Sequence, residues 1–199
     1  MISTQQMKEL ENNCGISKFT LMENAGRGVY KILKDKFDLK DKKILIVAYH
    51  GNNGGDGFVA AHYLSDICLV EVLFIGDESQ LKEEAQTNYK RILDNAKIQI
   101  LYDYGEIDFD YYDIIVDAIL GTGIQGTINE PIKSIIHSIN NSKAFKLAVD
   151  IPSGLNPDTG AIEDIAINAD LIATFHDLKP GLEKYKSKTI IADIGIKVN

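Results

Sequence analysis

Apolar and polar positions follow two periods along the chain, and the switches between them mark its elements. Ser3 and Gln6 fit the reciprocal pattern of a capping box, opening a short helix that stops near Gly15. Thr20 and Glu23 fit a second box. Leu21, Met22, Ala25, Val29 and Ile32 then form a stripe at helical spacing, which predicts a core-facing helix. The two helices are also a candidate dimer contact. From Lys43 the period changes. Ile44 to Tyr49 is a nearly unbroken apolar run, the pattern of a strand covered on both faces. A Gly/Asn loop from Gly51 to Gly57 leads to a predicted helix over Phe58 to Ser65. Cys68 to Ile75 reads as a strand, Ser79 to Ala96 as a helix, and Ile98 to Leu101 as a lesser strand. Ile114 to Leu120 is strand-like, and Asn129 with Pro131 marks a helix start for the segment to Asn140. Phe145 to Asp150, Leu171 to Phe175 and Thr189 to Asp193 are further strands.

Strands alternating with helices predict an α/β fold, a parallel sheet with helices on both faces. The 199 residues fit one domain, 1–199. Hydrophobic residues make up 45% and charged residues 25%, which excludes disorder, collagen and coiled coil. The net charge of −8, with Arg27 and Arg91 the two arginines, argues against a nucleic-acid binder, which needs the opposite sign. From Tyr102 through Asp113 there are five acids and no bases, as in a solvated connection. Cys14 and Cys68 match no metal or redox spacing and read as free thiols. The start lacks a signal peptide, and no apolar run approaches the roughly 18–20 residues of a membrane helix. The expectation is a soluble, cytoplasmic protein.

Open parallel sheets bind ligands beyond the carboxyl ends of their strands. Four successive predicted strand ends here carry glycine or proline beside a polar residue: Gly51-Asn-Asn-Gly-Gly-Asp-Gly57, Asp117-Ala-Ile-Leu-Gly-Thr-Gly123, Asp150-Ile-Pro-Ser-Gly154 and His176-Asp-Leu-Lys-Pro-Gly181. In the first, the following helix offers free N–H groups and a positive dipole end to a diphosphate. Gly55-x-Gly57-x-x-Ala60, with Asp77 to meet a ribose, even satisfies the loose dinucleotide fingerprint and leaves an NAD-dependent dehydrogenase open. Asp56 is repulsive to a diphosphate unless it faces away, binds a hydroxyl or meets a cation. Asn53, Asp117 and Ser153 offer oxygens at three strand ends, a set that suits a hard cation, a monovalent one among them. Proline and glycine stiffen and reverse the turn after Asp150, so Asp150 and Ser153 can face one pocket, with Asp150 a candidate general base. Lys179 is a candidate hydrogen-bond donor to phosphate, or an acid. His176, Tyr49 and His50 stand nearby, equally readable as loop residues.

Six motifs in order carry a resemblance: Met22-Glu-Asn-Ala-Gly26, Gly51-Asn-Asn-Gly-Gly-Asp-Gly57, Val116-Asp-Ala-Ile-Leu-Gly121, Val149-Asp-Ile-Pro-Ser-Gly154, Thr174-Phe-His-Asp-Leu-Lys-Pro-Gly181 and Asp193-Ile-Gly195. Together they resemble the NAD(P)HX epimerase family, also called the YjeF N-terminal domain, over nearly the whole chain. The resemblance implies a Rossmann-like three-layer α-β-α sandwich with a mostly parallel central sheet, commonly a homodimer. It implies interconversion of the R and S epimers of hydrated NADH and NADPH (NADHX and NADPHX), after which an ADP- or ATP-dependent dehydratase restores the cofactor. Carried across by motif, the substrate-binding residues are Asn52, Asn53, Gly54, Gly55 and Asp56, then Gly121, Thr122, Gly123, Ile124, Gln125, Gly126 and Thr127, then Asp150. Asn53, Asp117 and Ser153 fall on the family's potassium ligands. Asp150 and Lys179 are the expected base and acid. Some relatives have lost the glycine motif and serve as scaffold modules; here it is intact.

Overall fold

A computed structural model of the chain describes residues 1–123, 127–162 and 164–197. Two helices, α1 (Thr4–Asn13) and α2 (Lys18–Lys36), precede the first strand. Then come β1 (Lys43–Ala48), α3 (Asn52–Leu64), β2 (Leu69–Phe74), α4 (Glu83–Leu93), β3 (Ile98–Leu101) and β4 (Ile114–Ala118). α5 (Ile132–Asn141), β5 (Phe145–Val149), β6 (Leu171–Phe175) and β7 (Thr189–Ala192) complete the set, with a 3-10 segment, Pro180–Lys188, before the last strand.

The strands form one sheet in the order β3-β2-β1-β4-β5-β6-β7, and every neighbouring pair is parallel. β1 shows why its sequence is continuously apolar. Ile44, Ile46 and Ala48 point into a core shared with α2, α3 and α4, while Leu45 and Val47 point into a second core shared with α5. Side chains alternate across a strand, so a strand sandwiched by helices is apolar at both phases. The expected α/β sandwich is the one observed.

Three local expectations are corrected. The second helix is capped by Ser17, whose hydroxyl accepts from Thr20 N; the Thr20–Glu23 box does not form, because the Glu23 carboxylate accepts from Tyr63 Oη (2.6 Å) and Arg91 (3.0 Å). The segment from Ser79 divides: a 3-10 turn, Glu78–Gln80, capped by Asp77, precedes the shorter α4. The Gly/Asn segment is not a loop. Helix α3 starts at Asn52, six residues ahead of the predicted Phe58, with Gly51 as its N-cap. The acidic connection holds two further 3-10 turns, Tyr104–Glu106 and Phe109–Tyr111, with Asp103 and Asp108 as caps.

The early start of α3 has a steric cause. A Cβ at Gly54 would lie 1.8 Å from Tyr49 O, one at Gly55 would lie 2.5 Å from Met22 Cε, and one at Gly57 would lie 2.6 Å from Ala118 Cβ. These glycines let the helix press onto β1, β4 and α2. Gly54→Ala is therefore expected to cost at least about 3 kcal/mol, since backbone, not a flexible side chain, must yield. Gly51 has open space around it and extended backbone (φ −80°, ψ −179°). Gly51→Ser, which adds a capping hydroxyl, is expected to stay within about 0.5 kcal/mol. Urea midpoints of the two variants check the contrast.

Candidate active site

The sheet's crevice opens between β1 and β4. From β1 the chain continues into α3 on one face; from β4 it leads to α5 on the other. Such a divergence leaves room for a ligand at the carboxyl end. The Gly51 N-cap makes no side-chain cap, and the first intrahelical bond is Gly55 N to Gly51 O (3.2 Å). The amides of Asn52, Asn53 and Gly54 thus have no intrahelical acceptor, and the positive end of the helix faces the crevice.

Beside this helix start, Asn53 is 6% exposed, yet neither its Oδ1 nor its Nδ2 has a hydrogen-bond partner. Leaving a buried amide unpaired costs about 1–3 kcal/mol per group, so the position asks for something to satisfy it. The amide lies over Gly121, where an added Cβ would sit 3.6 Å from Asn53 Oδ1. Asp117, 1% exposed at the end of β4, accepts from Ser153 Oγ (2.5 Å), Ser153 N (2.8 Å) and Ile119 N (3.3 Å). Ser153 Oγ also accepts from Leu120 N (2.8 Å). Asn53 and Ser153 therefore close on the same Leu120–Gly121 turn. Burial pushes the Asp117 carboxyl up to about 6, against the hydrogen bonds from Ser153 and Ile119. Among the described residues, no cluster of three or more His, Cys, Asp or Glu could hold a metal. The donors here are amide, hydroxyl and single-carboxylate oxygens, a hard and weakly charged set.

One and two strands beyond β4, β5 and β6 end in matching three-residue turns. Ile151 N bonds Val149 O (2.8 Å) around Asp150, and Asp177 N bonds Phe175 O (2.7 Å) around His176. Asp150 has φ 61° and His176 φ 63°, the left-handed region that side chains seldom enter. Strain of this kind persists where surrounding contacts over-determine it. At Asp150 they do. Lys179, 1% exposed, gives its ammonium to Asp150 Oδ1 (2.6 Å), Thr174 Oγ1 (3.0 Å) and Phe175 O (2.9 Å). Thr174 Oγ1 donates to the same Oδ1 (3.0 Å), while Asp150 Oδ2 accepts from none of the described residues. One oxygen is fixed and the other is open.

The remaining expected residues divide. Gly121 and Thr122 are half-buried at the β4 end, Asn52, Gly123 and Thr127 are exposed, and Ile124, Gln125 and Gly126 lie outside the described residues. Gly55 and Gly57 of the dinucleotide fingerprint are interior helix residues packed on Met22 and Ala118. Asp77 spends its carboxylate on Ser79 and Gln80, and its N–H goes to His50 Nδ1 (3.2 Å). That pattern serves packing and a turn. Tyr49 and His50 stack at 3.8 Å between ring centroids. The residue that motif reading missed is Glu11. It shares the inward face of α1 with Met7, Leu10 and Cys14, and burial and the charge of Asp150 raise its carboxyl.

The family model described as YjeF-related protein N-terminus matches residues 18–181. The chain belongs to that family. It is 42% identical over 194 residues to the "Bifunctional NAD(P)H-hydrate repair enzyme Nnr" of Methanothermobacter thermautotrophicus, covering 92% of this chain and 37% of that protein. The protein of the same name from Archaeoglobus fulgidus is 42% identical over 98% of this chain and 41% of its own length. The chain thus spans about two fifths of these two relatives. It matches the "NAD(P)H-hydrate epimerase" of Nitrosopumilus maritimus at 42% identity over 94% of this chain and 90% of that one. The crystal structure of yeast ynu0, YNL200c superposes with a TM-score of 0.83 at 25% identity, covering 96% of this chain and 86% of that chain.

Proposed function

We propose that the chain is an NAD(P)H-hydrate epimerase, interconverting the R and S forms of NADHX and NADPHX. The observation that carries this reading is Asp150: a carboxylate on a strained turn, one oxygen tied to a buried ammonium and the other open, facing a crevice whose opposite wall is a helix N-terminus. The names of the relatives supply the reaction. The stereocentre bears a hydroxyl on the carbon next to the ring nitrogen. Inverting it requires a bond at that carbon to break and re-form on the other face. Asp150 Oδ2 accepts the hydroxyl proton and returns it, while Lys179 and Thr174 hold the carboxylate in place. The free amides of Asn52, Asn53 and Gly54 receive the diphosphate.

The unpaired Asn53 amide fits a cation, and we assign Asn53, Asp117 and Ser153 as ligands of a potassium ion. A bound ion would supply positive charge to offset the Asp117 carboxylate, held by residues that already close on the Leu120–Gly121 turn. The reading extends to residues 1–199 as one domain on a single sheet, to a homodimer, and to an ADP- or ATP-dependent dehydratase downstream. A cytoplasmic setting agrees with free Cys14 and Cys68; among the described residues no helix is long and apolar enough to cross a membrane.

The test is the relaxation of a pure epimer of NADHX followed by chromatography, in potassium and in choline buffers. The protein is expected to bring the epimers to equilibrium far faster than the spontaneous rate, and faster still with potassium. Relaxation at the spontaneous rate in both buffers sinks the reading.

A further inference from the structure

Two carboxyls at the crevice stand outside the Asp150–Thr174–Lys179 cluster. Glu11 is the first. Along α1 the inward positions are Met7, Leu10, Glu11 and Cys14, while Lys8, Glu9, Asn12 and Asn13 are exposed. Met7 is core, and Leu10 and Cys14 pack against that core. A helix with this spacing places apolar side chains inward, so a glutamate there is out of pattern. The Glu11 carboxylate has no hydrogen bond or ion pair among the described residues. α1 is fastened across the end of β6, with Ile2 N on Leu178 O (2.9 Å) and Thr4 N on Asp158 Oδ1 (2.8 Å). The second carboxyl is Asp56, half-buried near the start of α3, whose side chain likewise has no partner among the described residues. The charges that act on Asp56 are those of Asp150 at the end of β5, Glu11 on α1 and Lys179 beyond β6. Those that act on Glu11 are Asp150, Lys179 and Lys18 of α2.

Lys179 is poorly placed to give a proton to a ligand, since all three of its N–H bonds are spent inside the protein. We propose that Asp56 is the proton donor opposite Asp150, and that Glu11 is the positioning residue that sets the charge state of Asp56. The proposal rests on the epimerase reading. Of the three carboxyls, Asp150 alone is bonded to the Lys179 ammonium; those of Glu11 and Asp56 have no such partner among the described residues. Burial, then the negative charges of Asp150 and Glu11, hold the Asp56 carboxyl well above the usual carboxylate range. Asp150 is held by the Lys179 ammonium and the Thr174 hydroxyl and Asp56 by neither, so the two carboxyls suit opposite roles, base and acid. Asp150 Oδ2 takes the hydroxyl proton, and the O–H electron pair becomes the second bond of a carbonyl. The C–N bond breaks, its pair goes to the ring nitrogen, and that nitrogen takes the Asp56 proton. The carbonyl turns its other face and the steps run in reverse, returning each proton to its owner. Nothing is oxidised or reduced.

The sign of the pH dependence follows. An acid works when protonated, so the rate falls as pH rises through the Asp56 value. Removing the negative charge of Glu11 lowers that value, and the alkaline limb moves to lower pH. The experiment compares kcat against pH for the wild type, Glu11→Gln, Glu11→Asp and Asp56→Asn. In parallel, the Asp56 side-chain carboxyl carbon is titrated by NMR in the ligand-free protein, which reads Glu11's effect without turnover. For Glu11→Gln, a downward shift on the order of half a pH unit or more is expected in both readouts. Glu11→Asp should restore part of it. Asp56→Asn should lose roughly 10²-fold in kcat together with the alkaline limb. If the wild type epimerises but Glu11→Gln leaves both the limb and the titration unmoved, this inference alone is overturned. A wild type that does not epimerise removes the functional reading and the proton-donor role together.

Discussion

Asp150→Asn is expected to slow epimerisation by roughly 10²-fold or more while leaving the sheet intact. Asparagine suits the site structurally. It tolerates the positive φ of 61° better than other side chains, and its carbonyl oxygen can still accept from Lys179 and Thr174. What it loses is a basic oxygen where Oδ2 stands open. The variant should therefore keep its far-ultraviolet circular dichroism and its binding of NADHX, with the loss confined to kcat. A drop in KM-dependent binding with kcat preserved would make Asp150 a substrate ligand and nothing more. Turnover within about threefold of wild type would remove the base assignment outright. The asparagine also leaves the Lys179 ammonium without its counter-charge, so some stability goes with it, but less than when the lysine itself is removed.

Much of this site was readable in the chain because strand ends announce themselves. A buried parallel strand is apolar at both phases, so the first polar residue after it marks the rim; Asp117, Asp150 and His176 were placed this way. The glycine segment was harder. Four glycines in seven residues read as a loop, since glycine is a poor helix former. The helix forms because Tyr49, Met22 and Ala118 leave no space for a Cβ, and that reason lies in strands and helices distant in sequence. The cap of α2 misled for a related cause. Thr20–Glu23 matches the capping-box pattern and Ser17–Thr20, with no Glu or Gln at its third helical position, does not, yet tertiary bonds from Tyr63 and Arg91 draw Glu23 away. Glu11 carried a signal, a charge at inward spacing with Met7, Leu10 and Cys14, but only to a reader who already knew the helix phase. The burial of Lys179 had none. Lys-Pro-Gly reads as an exposed turn, and it is the tight bend at His176 that turns the lysine inward.

Lys179→Met tests that buried pair from the other side. Breaking a buried ion pair by removing one partner leaves a charge without compensation and typically costs 3–5 kcal/mol. The Asp150 side chain keeps 15% of its surface in contact with solvent, so the lower figure, about 3 kcal/mol, is expected at neutral pH. For a chain of this size that is a fall in Tm of roughly 6–12 °C. Phe175 O and Thr174 Oγ1 lose the same donor, adding to the cost. The Asp150→Asn/Lys179→Met double variant should recover most of the loss, because the uncompensated charge is gone and a methionine fills the lysine's apolar volume. Activity should stay lost in both. The double-mutant cycle, read from urea midpoints, thus separates two roles of Lys179. A coupling energy near zero would mean that the ammonium and the carboxylate are neighbours without mutual dependence, and the strained turn at Asp150 would then be held by Thr174 and the Ile151–Val149 bond alone.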